Sequence, residues 1–304
     1  MSNQPVARMT KNLALAAWCG LAIPAAATAG VAAPGASACS LADAPREDFV
    51  MRVPFEAIDG RIYVQATVDG QGPFRFAVDT GASGLGRADS SLVSALGLET
   101  GRPTINSDGV QTAESDTTTL DSLDVGGLVR NDVVVLTRDY NSRMAPEAAF
   151  SGIVAREFFS DGLLVIDYPG KTISFSRRLS LSASQEGALA YERPFRIPLS
   201  IGTLPTEGNL DTGANIAFVL PKSLFDRVGG TPLEQAGHGS LPNTTIDTWR
   251  STVAGPFRIG QATISDADVR VSERYPEVLI GAHALQDFVV LIDQRSKRVA
   301  VCPQ

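Results

Sequence analysis

The chain carries the same pattern twice. Phe76-Ala77-Val78-Asp79-Thr80-Gly81-Ala82-Ser83 returns as Gly208-Asn209-Leu210-Asp211-Thr212-Gly213-Ala214-Asn215. Ile153-Val154-Ala155-Arg156-Glu157-Phe158-Phe159 returns as Leu279-Ile280-Gly281-Ala282-His283-Ala284-Leu285, and Leu163-Leu164-Val165-Ile166-Asp167 as Val289-Val290-Leu291-Ile292-Asp293. The copies lie 132 residues apart at the first pair and 126 at the last, so the two halves are collinear apart from six residues of loop. Two copies of so long a period are a duplicated domain, not a solenoid.

Within each half the local signals are β. Residues 61–68 alternate apolar and polar and end at Asp69-Gly70, a hairpin signal. Residues 74–78, 132–137, 163–167 and 172–175 are further strand-like runs. Short helices are expected at 90–98 and 221–228, each following its Asp-Thr-Gly by a similar distance. The serine- and glycine-bearing stretch 179–191 reads as a linker. The expected architecture is mostly β, with two pseudo-symmetric, barrel-like lobes over 47–178 and 192–304 and a short N-terminal segment at 39–46.

The front of the chain is of another kind. Residues 1–38 hold no Asp or Glu, and Arg8 and Lys11 precede the apolar run 13–33, which contains Ala27-Thr28-Ala29 and is followed by Ala36-Ser37-Ala38. That is the layout of an export signal, read here over 1–38, and Pro24 and the many alanines argue against an uncleaved anchor. Its removal leaves 266 residues with a net charge of about −9. An acidic chain without basic clusters is a poor nucleic-acid binder. Two histidines and three cysteines nearly exclude a metal centre built on those residues. The mature chain would keep Cys39 and Cys302, which in an exported protein read as a disulfide worth about 4–5 kcal/mol. The alternative is two unpaired thiols.

Two Asp-Thr-Gly turns suggest a chemistry that needs both. Paired buried carboxylates cannot both ionise, so they share a proton. One takes a proton from water while the other, protonated, polarises a carbonyl. The glycine allows a tight turn, and the threonine hydroxyls can brace the loops. On these residues the chain resembles the pepsin-like and retroviral-type aspartic proteases, as a single-chain, bilobal, bacterial form. The resemblance implies an endopeptidase with Asp79 and Asp211 as the catalytic pair. It makes Thr80 and Thr212 the interlocked threonines, and Gly81 and Gly213 the turn residues. Leu279-Ile280-Gly281 is then the strand packed beside the second loop. It further implies a polypeptide substrate, no metal or cofactor, and a flap at residues 104–119 around Asp108 and Gly109. The resulting expectation is a monomer in the periplasm or outside the cell, with no membrane segment once the signal is cleaved.

Three departures from that pattern bear on activity. Ala155 stands where the family has glycine, residues 104–119 hold no flap tyrosine, and Ala82 and Ala214 stand where pepsins carry a hydroxyl. Without that hydroxyl the pair should titrate higher than a pepsin's, favouring mildly acidic to neutral solution. Gly237-His238-Gly239 is the segment matching the flap in the second half. A Ser-His-Asp triad through His283 lacks a Gly-x-Ser-x-Gly elbow, and His283 reads instead as a structural residue beside Leu279–Gly281. Gly81–Gly86 has the wrong spacing for a phosphate loop. The serious rival is a catalytically weak or inactive peptide-binding protein on the same scaffold. A second rival, in which each aspartate only caps its own turn, leaves the duplication of the whole motif unexplained.

Overall fold

The computed structural model describes residue 1 and residues 35–142 and 144–304, so most of the expected signal lies outside the described residues. The chain is mostly β. The Asp69-Gly70 turn adopts positive φ at both residues, 52° and 72°, and joins Arg61–Val68 to Gln71–Asp79 as an antiparallel hairpin. Ile62, Val64, Ala66 and Val68 alternate inward along the first of these strands, as a period of two requires. The helix Ser90–Leu96 is capped at its start by the Asp89 side chain, which accepts from Ser91 N at 2.9 Å, and ends at Gly97 with φ 65°. Its counterpart is Lys222–Val228.

Each half builds its own sheet, of eight strands in the first lobe and nine in the second. Both sheets repeat one arrangement around the Asp-Thr-Gly loop. Gln71–Asp79 runs parallel to Gly152–Ala155, and Leu204–Asp211 runs parallel to Val278–Gly281. Each of those partners also pairs antiparallel with the strand that leaves the loop, Gly86–Asp89 or Phe218–Pro221. The register sets Asp79 opposite Ala155 and Asp211 opposite Gly281.

A third sheet of six strands belongs to both halves. At its centre the repeated strands Leu163–Asp167 and Phe288–Asp293 pair with each other, Val165 opposite Leu291. Side chains alternate between its two faces. Leu164 and Ile166 join the main core, while Leu163, Val165, Val289 and Leu291 form a second apolar layer. Leu41 of the N-terminal segment, its flanking residues Ala38 and Phe49, and Leu179 and Leu181 of the stretch 179–191 cover that second layer. Asp293 is fully buried there, accepting from Leu181 N at 3.0 Å and paired with Arg295 at 3.1 Å. Cys39 and Cys302 are joined as a disulfide with Cα atoms 5.6 Å apart, fastening the cover to the last strand, Arg298–Pro303. Among the described residues no helix is long and apolar enough to cross a membrane.

Candidate active site

Asp79 and Asp211 are the last residues of equivalent strands, where the chain leaves the sheet and its N–H groups lose their ladder partners. The carboxylates take up those donors. Asp79 Oδ1 accepts from Gly81 N and Ala82 N, both at 2.9 Å, and Asp211 Oδ1 accepts from Gly213 N at 2.8 Å. The next residues cross over. Thr80 N donates to Thr212 Oγ1 at 3.1 Å, and Thr212 N donates to Thr80 Oγ1 at 3.0 Å. Each hydroxyl in turn donates to the opposite strand, Thr212 to Val78 O at 2.9 Å and Thr80 to Leu210 O at 3.4 Å. Both threonines are buried, so these bonds form out of water and link the lobes at the base of the loops.

The glycines bring the carboxyls together. A methyl group on Gly81 would lie 2.5 Å from Asp211 Cγ, and one on Gly213 would lie 2.4 Å from Asp79 Cγ. Each glycine backbone is therefore packed directly against the other lobe's aspartate. Burial, then the charge of Asp79, pushes Asp211 up to about 8, and the Asp79 carboxyl lies within its hydrogen-bonding reach. The Gly213 N–H and the Arg61 cation act the other way without reversing the shift.

The architecture and the facing carboxyls agree with the comparison to known families. A family model described as aspartyl protease matches residues 64–164 and 197–284, one segment around each Asp-Thr-Gly. The chain belongs to the aspartyl protease family. No match is found among curated proteins.

One hairpin from each lobe reaches across to the other lobe. Asp108 and Gly109 form the tip of the hairpin made by Thr104–Ser107 and Thr112–Val125. The second lobe carries a counterpart, Glu234–Ser240 with Thr245–Val253, and the two tips touch. Asn243 N donates to Asp108 Oδ2 at 2.9 Å, and Asn243 Nδ2 donates to Gln111 O at 3.1 Å. Arg138 Nη1 adds a bond to Pro242 O at 2.9 Å. Burial opposes the Asp108 charge, but the N–H groups of Gln111, Val110 and Asn243 outweigh it and hold the carboxyl below the usual range. Gly237-His238-Gly239 lies within the second hairpin's first strand rather than at its tip, with His238 Nδ1 2.8 Å from Asp247.

Further charged and aromatic residues lie near the loops. His283 sits in the short turn Ala282–Leu285, its Nε2 3.1 Å from Asp59 Oδ1 of the opposite lobe. Arg61 Nε donates to Gly213 O at 2.7 Å, and Arg156 Nη1 donates to Gly81 O at 3.1 Å. Tyr275 is half-buried and feels both the Asp211 and Asp108 charges, although burial is the chief cause of its raised pKa. Tyr140 is raised by burial likewise, with Asp79 among the charges acting on it. Arg61 and Tyr275 escaped the sequence reading because neither lies in a repeated motif. Arg156 had a readable signal, since the repeat has alanine at 282.

Proposed function

We propose that the chain is an aspartic endopeptidase of the pepsin-like and retroviral-type kind, using a water activated between Asp79 and Asp211. The observation that carries this reading is the reciprocal packing of Gly81 and Gly213 against the opposite carboxyls. Asp79 Oδ1 accepts two backbone N–H groups and Asp211 Oδ1 only one, so the shared negative charge rests preferentially on Asp79. Asp79 then takes a proton from the water as it attacks the peptide carbonyl, and protonated Asp211 donates to the carbonyl oxygen. As the tetrahedral adduct collapses, Asp79 gives the proton it took from water to the leaving amine, Asp211 takes a proton back from a hydroxyl of the adduct, and the C–N bond breaks. A polypeptide lying in the cleft between the lobes would pass beneath the hairpin tips at Asp108-Gly109 and Asn243. The Ala155 methyl needs no displacement of this pair, because the first loop turns at Gly84 with φ +82° where the second has Ile216.

The protein acts after export, as a monomer, with residues 47–178 and 192–304 as its lobes and 179–191 between them. Because Ala38 is buried and its N–H donates to Glu186 O at 2.9 Å, we place signal cleavage after Ala29 rather than after Ala38. Incubation with casein from pH 3 to 9, beside Asp79→Asn and Asp211→Asn, tests the reading. Cleavage best in mildly acidic to neutral solution and lost in either variant is the expected result. A folded wild-type protein that binds casein peptides but cleaves none would instead identify a binding protein on this scaffold.

A further inference from the structure

Gly213 touches both carboxyls. Its N–H donates to Asp211 Oδ1 at 2.8 Å, and its Cα lies against Asp79 so closely that a methyl group there would be 2.4 Å from Cγ. The position of the Gly213 peptide therefore governs how the two groups face each other. What holds that peptide from behind comes from the other lobe. Arg61, the first residue of Arg61–Val68, donates from Nε to Gly213 O at 2.7 Å and from Nη2 to Asn215 Oδ1 at 3.3 Å. Asn215 in turn donates to Asp59, whose other oxygen lies 3.1 Å from His283 Nε2. The Asp59-Gly60 turn is itself docked on the second lobe. Gly60 has φ +80°, a methyl group on it would lie 2.3 Å from His283 Cδ2, and Gln286 Nε2 donates to its carbonyl at 3.2 Å.

The duplication explains why a residue from outside the lobe is needed. In the first lobe the matching carbonyl, Gly81 O, is held at 3.1 Å by Arg156 of the same lobe. The residue equivalent to Arg156 in the second repeat is Ala282, which has no donor to offer. Arg61 supplies the missing guanidinium across the interface.

We propose that Arg61 is a positioning residue for the catalytic pair: from the first lobe it anchors the Gly213 peptide and so sets the spacing and proton sharing of Asp79 and Asp211. Assembly of the site is thereby tied to docking of the Asp59-Gly60 turn on the second lobe. The proposal rests on reading the pair as a hydrolytic centre. Arg61 also acts by charge. Among the described residues Asp79, Tyr168, Tyr275 and Arg61 act on Asp211 or feel its charge, both tyrosines being kept neutral chiefly by burial, and the Arg156 guanidinium lies on the Gly81 carbonyl beside it. Arg61 is the cation that lowers the Asp211 proton affinity, so its loss moves that affinity upward.

The test compares wild type, Arg61→Gln and Arg61→Lys on a quenched peptide spanning a casein cleavage site, with kcat, KM and the full pH–rate profile. Arg61→Gln should lower kcat about 10- to 100-fold with KM within twofold, as expected for misplaced reacting groups, and shift the alkaline limb, which protonated Asp211 sets, to higher pH. Arg61→Lys should keep that limb in place but recover only part of kcat, because an ammonium cannot reproduce the planar two-point grip. A kcat within twofold of wild type in Arg61→Gln overturns the proposal, and so does a lower kcat with an unmoved alkaline limb. If Arg61→Gln does not fold, an undiminished kcat in Arg61→Lys overturns it. If wild type cleaves nothing, the hydrolytic reading fails separately, and Arg61 is judged from unfolding midpoints against pH. The decline in stability that runs from the ordinary carboxylate range up to the folded Asp211 value should then extend to higher pH in a folded Arg61→Gln or, failing that, end at unchanged pH in Arg61→Lys with a lowered midpoint; any other outcome overturns it.

Discussion

A methyl group at residue 213 would lie 2.4 Å from the Asp79 carboxyl carbon, and one at residue 81 would lie 2.5 Å from that of Asp211. Neither glycine has a φ in the left-handed region, so both positions are demanded by close approach and not by backbone strain. Gly213→Ala should therefore reduce kcat/KM about 100-fold by pushing the carboxyls apart, with far-UV circular dichroism unchanged. Equal activity in that variant would mean that the pair tolerates separation. The same residues set a pH dependence of stability. Asp211 is raised to about 8 by burial and then by Asp79, so the folded protein holds a proton that the unfolded chain releases near the ordinary carboxylate value. The associated stability is complete below about pH 4 and is lost as pH rises toward 8. Asp211→Asn cannot ionise, so its melting temperature should lack that decline and overtake wild type in alkaline solution. Parallel melting curves from pH 4 to 9 would contradict this.

At the scale of the element, the two loops share a frame but place their glycines differently. Ala155 N, Arg156 N and Glu157 N donate to Leu85, Ala82 and Gly84, while Gly281 N, Ala282 N and His283 N donate to Ala217, Ala214 and Ile216. In the second lobe the chain passes so close that a methyl on Gly281 would lie 2.3 Å from Ile216 O. In the first, Gly84 makes the room and Ala155 is accommodated. Gly281→Ala should cost about 2–3 kcal/mol by overpacking, and Ala155→Gly about 1 kcal/mol, both read from urea unfolding. Equal costs would show that the loops are interchangeable. Much of this frame was legible in the sequence. The Asp69-Gly70 turn follows from local hairpin chemistry, and the helices from their equal distance after each loop, the first capped by Asp89 and the second without a side-chain cap. The stretch 179–191 was not legible as a packed cover, because Leu179 and Leu181 follow no period of their own. They answer to the exposed face of a sheet assembled from both halves. Arg61 was hidden for the same reason, since its partner lies 152 residues away.

Across the whole molecule, the six-stranded sheet is where the repeats meet, and its layers tie site to scaffold. One face joins the main core and the other is covered by the N-terminal segment and residues 179–188, fastened by Cys39–Cys302. Reduction should lower unfolding stability by about 3–5 kcal/mol, seen as a reductant-dependent midpoint absent from Cys302→Ser. The threonine cross-bonds and the Arg61 contact both cross the same interface, so neither lobe completes the site alone. Hydrolysis at this site requires that Asp79 and Asp211 share a proton. Carbon-13 resonances of the aspartate carboxyls, assigned by Asp79→Asn and Asp211→Asn and followed from pH 3 to 9, test it directly. Asp211 should titrate far above the ordinary carboxylate range, and Asp79→Asn should lower the Asp211 value. Two carboxyls that each ionise independently below pH 5 would contradict it.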